Sequence, residues 1–299
     1  MDVTAFLHQR RERGLLRRLR TIEKRSQGVI TVDGREYVDL SSNDYLGLSG
    51  HAVLREAAAA ALTEWGTGAT ASRLLSGGTC EHRRLEEKVA AFKGKEAALV
   101  FNSGYQANLG LLQALCDEDS IVFADKLCHA SIIDGLRLSE AVCVRFRHND
   151  LDHARQLLRK RRGERRKAFI VTETVFSMDG DVCPLSGLVE LKDEYECTLI
   201  VDEAHATGLF GERGAGLVEE AGVSDRVDVI MGTFSKALGS FGAYVAASGD
   251  IVEYLVNCAR SFIFSTALPV PVIAANAAAI DLVREQPQRR VLVREQARR

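Results

Sequence analysis

Short apolar segments alternate with longer amphipathic segments through the middle of the chain. The apolar segments have the length and composition of buried strands, and they are residues 96–102, 120–125, 141–146, 168–173 and 197–202. The segments between them have helical periodicity, and they are residues 82–94, 105–116, 129–139, 151–162 and 185–195. Because buried strands joined by helices form parallel sheets, this alternation predicts an α/β fold whose mainly parallel sheet has helices on both faces.

The two ends of the chain have different patterns. The first 20 residues predict an amphipathic surface helix, and residues 28–40 alternate around Asp33-Gly34, which predicts a β-hairpin. Residues 51–65 predict an alanine-rich helix, and the segment after Pro269 predicts a long helix that leaves the domain. We therefore predict an N-terminal helix and hairpin segment, a large domain and the start of a linker helix, over residues 1–48, 49–268 and 269–299.

Composition fits a globular protein and excludes several other classes. The 299 residues are 46% hydrophobic, which suffices for a large core, and the length suggests about two domains. A net charge of −2 gives no general attraction to nucleic acid or to acidic membranes. The sequence has no apolar run long enough to span a membrane and no secretory signal, and we predict a cytoplasmic protein.

Cysteine, histidine and arginine positions refine this picture. The seven cysteines are odd in number and never spaced CxxC, so we predict reduced, buried thiols, with Cys143 and Cys197 inside apolar strands. The seven histidines lack metal-ligand spacing, and we predict no metal site. The basic run at residues 159–167 is interpreted as a solvated surface, with attraction of coenzyme A phosphates as an alternative.

Two charged residues occupy positions where the pattern predicts burial. Lys236 lies between segments 227–231 and 243–247, which both predict strands, and a buried lysine is costly unless its charge is compensated. Asp202 ends a predicted strand and is followed three residues later by His205. A buried carboxylate there needs a cationic partner or a raised pKa, whereas capping a helix is the structural alternative.

Other predicted strands also end in polar residues. Ser103, Gly104 and Tyr105 open a helix, where free backbone N–H groups can hold a phosphate, although a serine N-cap explains Ser103 almost as well. His129 stands at another helix start, and Ser177 follows the strand that ends at residue 173. The acidic residues near Ser177, which are Glu173, Asp179 and Asp181, are explained mostly by turn chemistry.

One cofactor accounts for these residues together. Pyridoxal phosphate (PLP) has an aldehyde that a lysine captures as a Schiff base, a ring nitrogen that pairs with a carboxylate, and a phosphate. We predict that Lys236 bonds the aldehyde and that Asp202 pairs with the ring nitrogen. The predicted phosphate ligands are Ser103, Gly104, Tyr105 and Thr233.

Seven segments resemble, in order and spacing, those of the α-oxoamine synthases, a family of fold-type I PLP enzymes. They are SSNDYLGL, GTGATASRLLSGG, FNSGYQAN, DKLCHAS, ETVFSMDGD, VDEAHATGLFGERGAG and TFSKALG. The SRLLSG segment is most similar to the branch that joins L-alanine to a pimeloyl thioester, carried by coenzyme A or a carrier protein, in biotin synthesis. This resemblance implies an acyltransferase reaction with decarboxylation.

The resemblance also implies residue roles. Lys236, His129, Asp202 and His205 are the expected catalytic residues, with His129 stacked on the cofactor ring. Ser177 and His205 are expected to contact the ring hydroxyl, and Thr266 also binds the cofactor. Asn43 and Arg73 are expected to bind substrate. Asn43 and the Ser265-Thr266 region are expected to reach a neighbouring active site, which implies a homodimer.

Three alternative functions stay open at this point. The chain resembles sister enzymes that use glycine or serine (glycine C-acetyltransferase, 5-aminolevulinate synthase and serine palmitoyltransferase), a non-catalytic partner subunit, or a simple aminotransferase. Family members continue through a small C-terminal α/β domain that supplies a carboxylate-binding arginine. We expect this domain to be missing after Arg299, which leaves the activity of the chain by itself in question.

Overall fold

Two units make up the chain in the computed structural model, which describes residues 2–26 and 28–299. The first unit ends at Ser42, and the second runs from Asn43 to Arg299. No helix in the described part of the chain is both long enough and apolar enough to cross a membrane.

The described residues of the first unit form one helix and a three-stranded antiparallel sheet. Its elements are α1 (Val3–Glu12), β1 (Lys24–Ser26), β2 (Val29–Val32) and β3 (Arg35–Val38). Asp33 and Gly34 have φ angles of 50° and 70°, as a two-residue hairpin turn requires, which confirms the predicted hairpin. The predicted N-terminal helix is shorter than expected, because the chain turns at Gly14, whose φ is 65°.

The second unit contains a seven-stranded sheet with the strand order β4-β10-β9-β8-β7-β5-β6. All neighbouring strands are parallel except β10, which is antiparallel to both β4 and β9. The strands are β4 (Ala97–Phe101), β5 (Ser120–Asp125), β6 (Val142–Phe146), β7 (Lys167–Glu173), β8 (Thr198–Asp202), β9 (Val229–Thr233) and β10 (Ala243–Ala247).

Helices cover this sheet on both faces, so the predicted α/β fold is confirmed. Phe169 and Val171 of β7 pack against one set of helices, whereas their neighbours Ala168 and Ile170 pack against the other. The helices are α2 (Ala52–Trp65), α3 (Cys80–Lys93), α4 (Gly104–Leu115), α5 (Ala130–Leu138), α6 (Leu151–Arg161), α7 (Leu185–Glu194), α8 (Leu217–Glu220), α9 (Gly249–Cys258), α10 (Arg260–Ile263), α11 (Val270–Glu285) and α12 (Pro287–Ala297), with a short 3₁₀ helix at Arg162–Glu164.

Two sequence predictions need correction. The helix after Pro269 does not leave the domain, because Ile273, Ile280 and Val283 of α11 are buried in a core shared with α2 and α3. Strand β9 extends to Thr233 rather than ending at Met231. Gly232 has no side chain, which leaves space for the Tyr244 ring and allows β9 and β10 to pair through this position. A link from α11 to a further domain stays a prediction.

The cysteines are all free, but they are not all buried. Four of the seven are buried, among them Cys197, whereas Cys143 and Cys80 are exposed. Cys143 lies on β6, which forms an edge of the sheet, so the prediction that its thiol is buried is wrong. An apolar segment does not reveal whether its strand is central or at an edge.

The carboxyl ends of the parallel strands meet along one side of the sheet, called here its carboxyl edge, which is distinct from the outermost strands β4 and β6. Asp125, Glu173, Asp202 and Thr233 end β5, β7, β8 and β9 there. Lys167, at the end of the basic run, begins β7 at the opposite edge, about 20 Å away for a strand of this length. Its ammonium pairs with Asp117, and Arg161 pairs with Glu164, as expected for a surface.

A fully buried ion pair lies next to this edge. Lys93 Nζ is 2.7 Å from Glu203 Oε2, and the two side chains are 1% and 0% exposed. Lys93 also donates to Thr207 Oγ1 and to the carbonyl of Ala215, and Glu203 accepts from the Val218 backbone N–H. The ammonium therefore has three acceptors, which offsets the cost of removing both charges from water.

We expect Lys93→Met to lower the free energy of unfolding by about 3–5 kcal/mol, because Glu203 would keep a buried charge without a cation. Lys88→Met is the matched control, since Lys88 pairs with Asp281 near the surface and its loss should cost less than about 1 kcal/mol. Urea unfolding measures both. Adding Glu203→Gln to Lys93→Met should recover part of the loss, and equal losses for the two lysine variants would contradict this account.

Candidate active site

A cavity of about 190 Å³ opens at the carboxyl edge of the sheet. It is bounded by strand ends, by the start of α4 and by the connection between β9 and β10. Its lining residues are Gly104, Tyr105, Asn108, His129, Ser131, Glu173, Asp202, Ala204, His205, Met231, Thr233, Ser235 and Lys236. The structure thus brings together seven of the predicted site residues: Gly104, Tyr105, His129, Asp202, His205, Thr233 and Lys236.

Lys236 enters this cavity from the β9–β10 connection. The turn is closed by a hydrogen bond from the Gly239 N–H to the Lys236 carbonyl, 2.9 Å long. Gly239 has a φ of 63°, and a side chain there would collide with the Ser49 backbone. Burial lowers the pKa of the Lys236 amine, although the charges of Asp202 and Glu173 oppose this effect. The amine is therefore more readily neutral, and hence nucleophilic, than an exposed lysine.

Asp202 is buried and is held by hydrogen-bond donors. Its Oδ1 accepts from the Ala204 N–H at 2.8 Å, and its Oδ2 accepts from Asn108 Nδ2 at 2.9 Å. No lysine, arginine or histidine within residues 2–26 and 28–299 forms an ion pair with it. A cation placed in the cavity would supply the missing opposite charge.

Asn108 connects Asp202 to His129 through a chain of hydrogen bonds. One Asn108 amide hydrogen goes to Asp202 and the other goes to Ser131 Oγ, at 2.9 Å. Ser131 Oγ is 2.7 Å from His129 Nδ1, which also accepts from the Ser131 backbone N–H. His129 Nδ1 therefore acts as an acceptor, and the imidazole orientation is fixed relative to the carboxylate.

Glu173 is a second buried carboxyl group in the cavity. Its Oε1 accepts from the His129 backbone N–H at 2.5 Å, and its strand pairs in register with Asp202. Burial raises the pKa of Glu173 to about 8, and the charge of Asp202 adds to this effect. The hydrogen bond from His129 and the charge of Lys236 oppose it. Glu173 thus holds its proton to a higher pH than an exposed glutamate does.

His205 lies at the other side of the site and contacts Tyr45. The Tyr45 hydroxyl is 2.8 Å from His205 Nδ1 and also donates to Asn43 Oδ1 at 3.1 Å. Burial lowers the pKa of His205 to about 4, and Lys236 and His129 add to this effect. His205 is therefore uncharged at neutral pH and can exchange neutral hydrogen bonds with a ligand.

The α4 end of the cavity has the features of a phosphate site. Gly104 begins α4, and a Cβ there would lie 2.8 Å from Thr233 Cγ2, so only glycine fits. Thr233 is 4% exposed, and its Oγ1 has no hydrogen-bond partner among the described residues. Ser103 caps α4 by accepting from the Gln106 N–H at 3.3 Å, outside the cavity lining.

These features fit PLP. An amine, a carboxylate without a cation, and an orphaned hydroxyl at a helix N-terminus match the aldehyde, ring nitrogen and phosphate of the cofactor. Lys236 and Asp202 would hold the reactive end and the ring, and Thr233 with the α4 N-terminus would hold the phosphate.

Five predicted residues lie outside this cavity: Ser103, described above, and the four described here. Ser177 is exposed in the turn after β7, and Asn43 is exposed beside Tyr45. Thr266 is exposed and lines a separate small cavity with Arg73. The Arg73 guanidinium is already paired with both oxygens of Glu86, at 2.8 and 2.9 Å.

Several lining or contacting residues received no site role from the sequence, and those with polar contacts in the site are Asn108, Ser131, Glu173 and Tyr45. Asn108 had a usable signal, since it interrupts the apolar face of α4 formed by Ala107, Leu111 and Leu112. Glu173 resembled an ordinary turn residue. The contact between Tyr45 and His205 joins residues far apart in sequence and left no local pattern.

The chain belongs to the aminotransferase class I and II family, whose model matches residues 35–299. Within that class it is similar to 8-amino-7-oxononanoate synthases. The enzyme of Geotalea daltonii is 53% identical over 280 residues, covering 94% of this chain and 71% of the relative. The enzyme of Geobacter sulfurreducens is 53% identical over 297 residues, covering 99% of this chain and 75% of the relative.

Solved structures lead to the same family. Serine palmitoyltransferase from S. paucimobilis, with PLP and myriocin bound, matches with a TM-score of 0.89 and 31% identity, covering 97% of this chain and 73% of that one. The 8-amino-7-oxononanoate synthase from Francisella tularensis matches with a TM-score of 0.73 and 33% identity, and the match covers 84% of this chain and 70% of that one. The predicted family resemblance, fold class and PLP cofactor are confirmed.

The raised pKa of Glu173 predicts a pH effect on stability in the cofactor-free protein. Between about pH 4.5 and 8 the folded state binds a proton that the unfolded state releases, so Glu173 destabilises the fold progressively as pH rises. Glu173→Gln removes this dependence. The variant should therefore gain stability relative to wild type between pH 5 and pH 9.

Thermal unfolding at both pH values measures this gain. Glu190→Gln, at an exposed position of α7, is the control and should follow wild type. A constant difference between Glu173→Gln and wild type at pH 5 and 9 would show that Glu173 is ionised throughout.

Proposed function

We propose that this protein is a PLP-dependent acyltransferase that condenses L-alanine with a pimeloyl thioester, with loss of CO₂, to give 8-amino-7-oxononanoate for biotin synthesis. The observation that carries this proposal is the placement of Lys236 and Asp202 in one cavity with His129, Thr233 and the α4 N-terminus. The substrates are suggested by relatives of about half-identical sequence that have this product in their name.

Each residue of the cavity has a defined task in this proposal. When bound, PLP supplies an aldehyde and an electron-accepting ring. Lys236 Nζ would hold the cofactor and, when freed by the substrate amine, would accept the proton from the substrate Cα. Asp202 would keep a proton on the ring nitrogen, and His129 would lie against the ring. His205, uncharged at neutral pH, would exchange a hydrogen bond with the ring oxygen, and the family resemblance implies that Ser177, in the exposed turn outside the cavity, would join it.

The serine palmitoyltransferase similarity makes a sister reaction the main competitor, at lower identity. The test offers L-alanine, glycine and L-serine with pimeloyl, acetyl, succinyl and palmitoyl thioesters of coenzyme A, and thiol release is followed. We expect kcat/KM for L-alanine with pimeloyl-CoA to exceed every other pair at least about tenfold, a difference of about 1.4 kcal/mol in transition-state binding.

Lys236→Ala should abolish turnover and the visible absorbance of bound PLP, whereas Lys126→Ala, at an exposed lysine, should change neither. Preference for another amino acid would assign the protein to a sister reaction. PLP bound through Lys236 without turnover of any pair would instead identify a non-catalytic subunit.

We further propose a cytoplasmic homodimer with shared active sites. Large apolar side chains are exposed near Thr266: Leu74, Leu75 and Phe264 are 51%, 80% and 72% exposed. Patches of this kind favour protein contacts.

The cytoplasmic location is supported by seven unpaired cysteines. The expectation that Asn43 reaches a neighbouring site stays a prediction, and the contact of Asn43 with Tyr45, which leads to His205 of its own chain, favours the alternative that it acts in its own site.

Mixing inactive variants tests which residues cross between subunits. Thr266→Asp places a negative charge where the neighbouring subunit's cofactor is expected, and in a mixed dimer with Lys236→Ala it should restore about a quarter of wild-type activity, the statistical share for one intact site in half of the dimers. Asn43→Ala mixed with Lys236→Ala should restore none, because both defects would act within their own chains. The reverse pattern would contradict these assignments.

A further inference from the structure

His148, which follows β6, is held between two carboxylates from different parts of the fold. Its Nδ1 is 2.9 Å from Asp125 Oδ1, and its Nε2 is 2.7 Å from Asp181 Oδ2. Asp125 ends β5 and is fully buried, where it also accepts from the N–H groups of Leu127 and Asn149. Asp181 lies in the turn after β7. The imidazole therefore joins that turn to the sheet.

The geometry requires both ring nitrogens of His148 to carry protons. A carboxylate only accepts hydrogen bonds, and a neutral imidazole has one N–H, so two carboxylate contacts need the charged imidazolium. Burial acts to lower the pKa of His148, but the hydrogen bonds to Asp125 and Asp181 outweigh it, and the pKa is raised. The other groups that face the ring are the Asp179 carboxylate, the Asn149 amide and the edge of Phe176.

A metal ion is a poorer explanation of this cluster. Ligand atoms of His148, Asp179 and Asp181 lie within 4.8 Å of one another. A histidine binds a metal through an unprotonated nitrogen, and both nitrogens of His148 already donate to carboxylates.

The held segment, residues 176–182, is anchored at its ends by the buried Phe176 ring and by a β-bridge between Val175 and Val182, so the contact from His148 to Asp181 acts on the exposed part between them. Asn149 Nδ2 donates to Asp181 Oδ2 at 2.7 Å, and a backbone bond from Phe176 N–H to the Asp181 carbonyl, 3.0 Å, closes the turn. Its tip is solvent-exposed, with Met178 91% exposed. Ser177 lies in this tip, four residues after Glu173 of the cavity.

We propose that His148 is a positioning residue that, when doubly protonated, holds the 176–182 turn in place and so fixes Ser177 beside the active site. Loss of one proton removes one of the two contacts and loosens the exposed tip of the turn, while its ends stay anchored. Because the folded pKa is raised, the anchoring is complete below about pH 6.5 and is lost as pH rises through the folded pKa. The catalytic consequence rests on the proposed function, whereas the anchoring itself does not.

Hydrogen exchange of the 176–182 segment tests the anchoring without any catalytic readout. In the purified holoenzyme we expect the protection factor to fall about tenfold between pH 6.5 and pH 9, as for loss of a charge-assisted hydrogen bond. His148→Gln should have low protection at both values. His148→Arg keeps a permanent cation with two donors and should stay protected at both, which separates His148 from Glu173, whose pKa is also in this range.

His153→Gln is the matched control, because His153 accepts only a backbone N–H from Arg147 and should leave the segment as in wild type. Protection that is independent of pH, and equal in wild type and His148→Gln, would overturn the proposal whatever the enzyme's reaction is. So would protection that requires added Zn²⁺ or Mg²⁺.

A second measurement tests the link to Ser177. If His148 acts through Ser177, then Ser177→Ala and His148→Gln should lower kcat/KM by similar factors, and the double variant should lose no more than either single one. His148→Arg should remove the corresponding alkaline limb of the pH profile. Altered exchange with unchanged kinetics, or additive losses, would overturn the positioning role while leaving the proposed reaction intact.

Discussion

The unbalanced charge of Asp202 is the constraint on which the site depends. A carboxylate buried at a strand end is costly, and here two amide donors, the Ala204 backbone and Asn108, stabilise it without neutralising it. The remaining negative potential is directed into a cavity that also contains Lys236. A ligand that brings a cationic ring nitrogen and removes the lysine charge as a covalent bond satisfies both groups at once.

A second buried charge pair shows the contrasting solution. Lys93 and Glu203 neutralise each other completely, and every donor of the ammonium is used. Glu203 directly follows Asp202, so the Lys93–Glu203 ion pair holds the backbone from which the Asp202 carboxylate extends. Charged residues outside the cavity thus help to position a residue inside it.

Much of this architecture follows from local sequence patterns. The strand ends were predictable because apolar segments stop abruptly at Asp125, Glu173 and Asp202, and parallel strands bring such ends together. The lysine that is buried most deeply was not predictable, since Lys93 lies in an ordinary amphipathic helix while Lys236 stands out between strands. Likewise, edge and central strands look alike in sequence, which is why the exposure of Cys143 was missed. Contacts between distant segments, such as Tyr45 with His205, leave no periodic trace.

The single reversed strand, β10, has a mechanical consequence for Lys236. Returning a chain to a parallel strand takes a crossover of a dozen or more residues, usually through a helix on the far side of the sheet. Because β10 runs the other way, residues 234–242 leave and re-enter the sheet at the same edge. The backbone that carries Lys236 is consequently a short connection held by a strand at each end, so little backbone entropy would be lost if the amine formed a covalent bond.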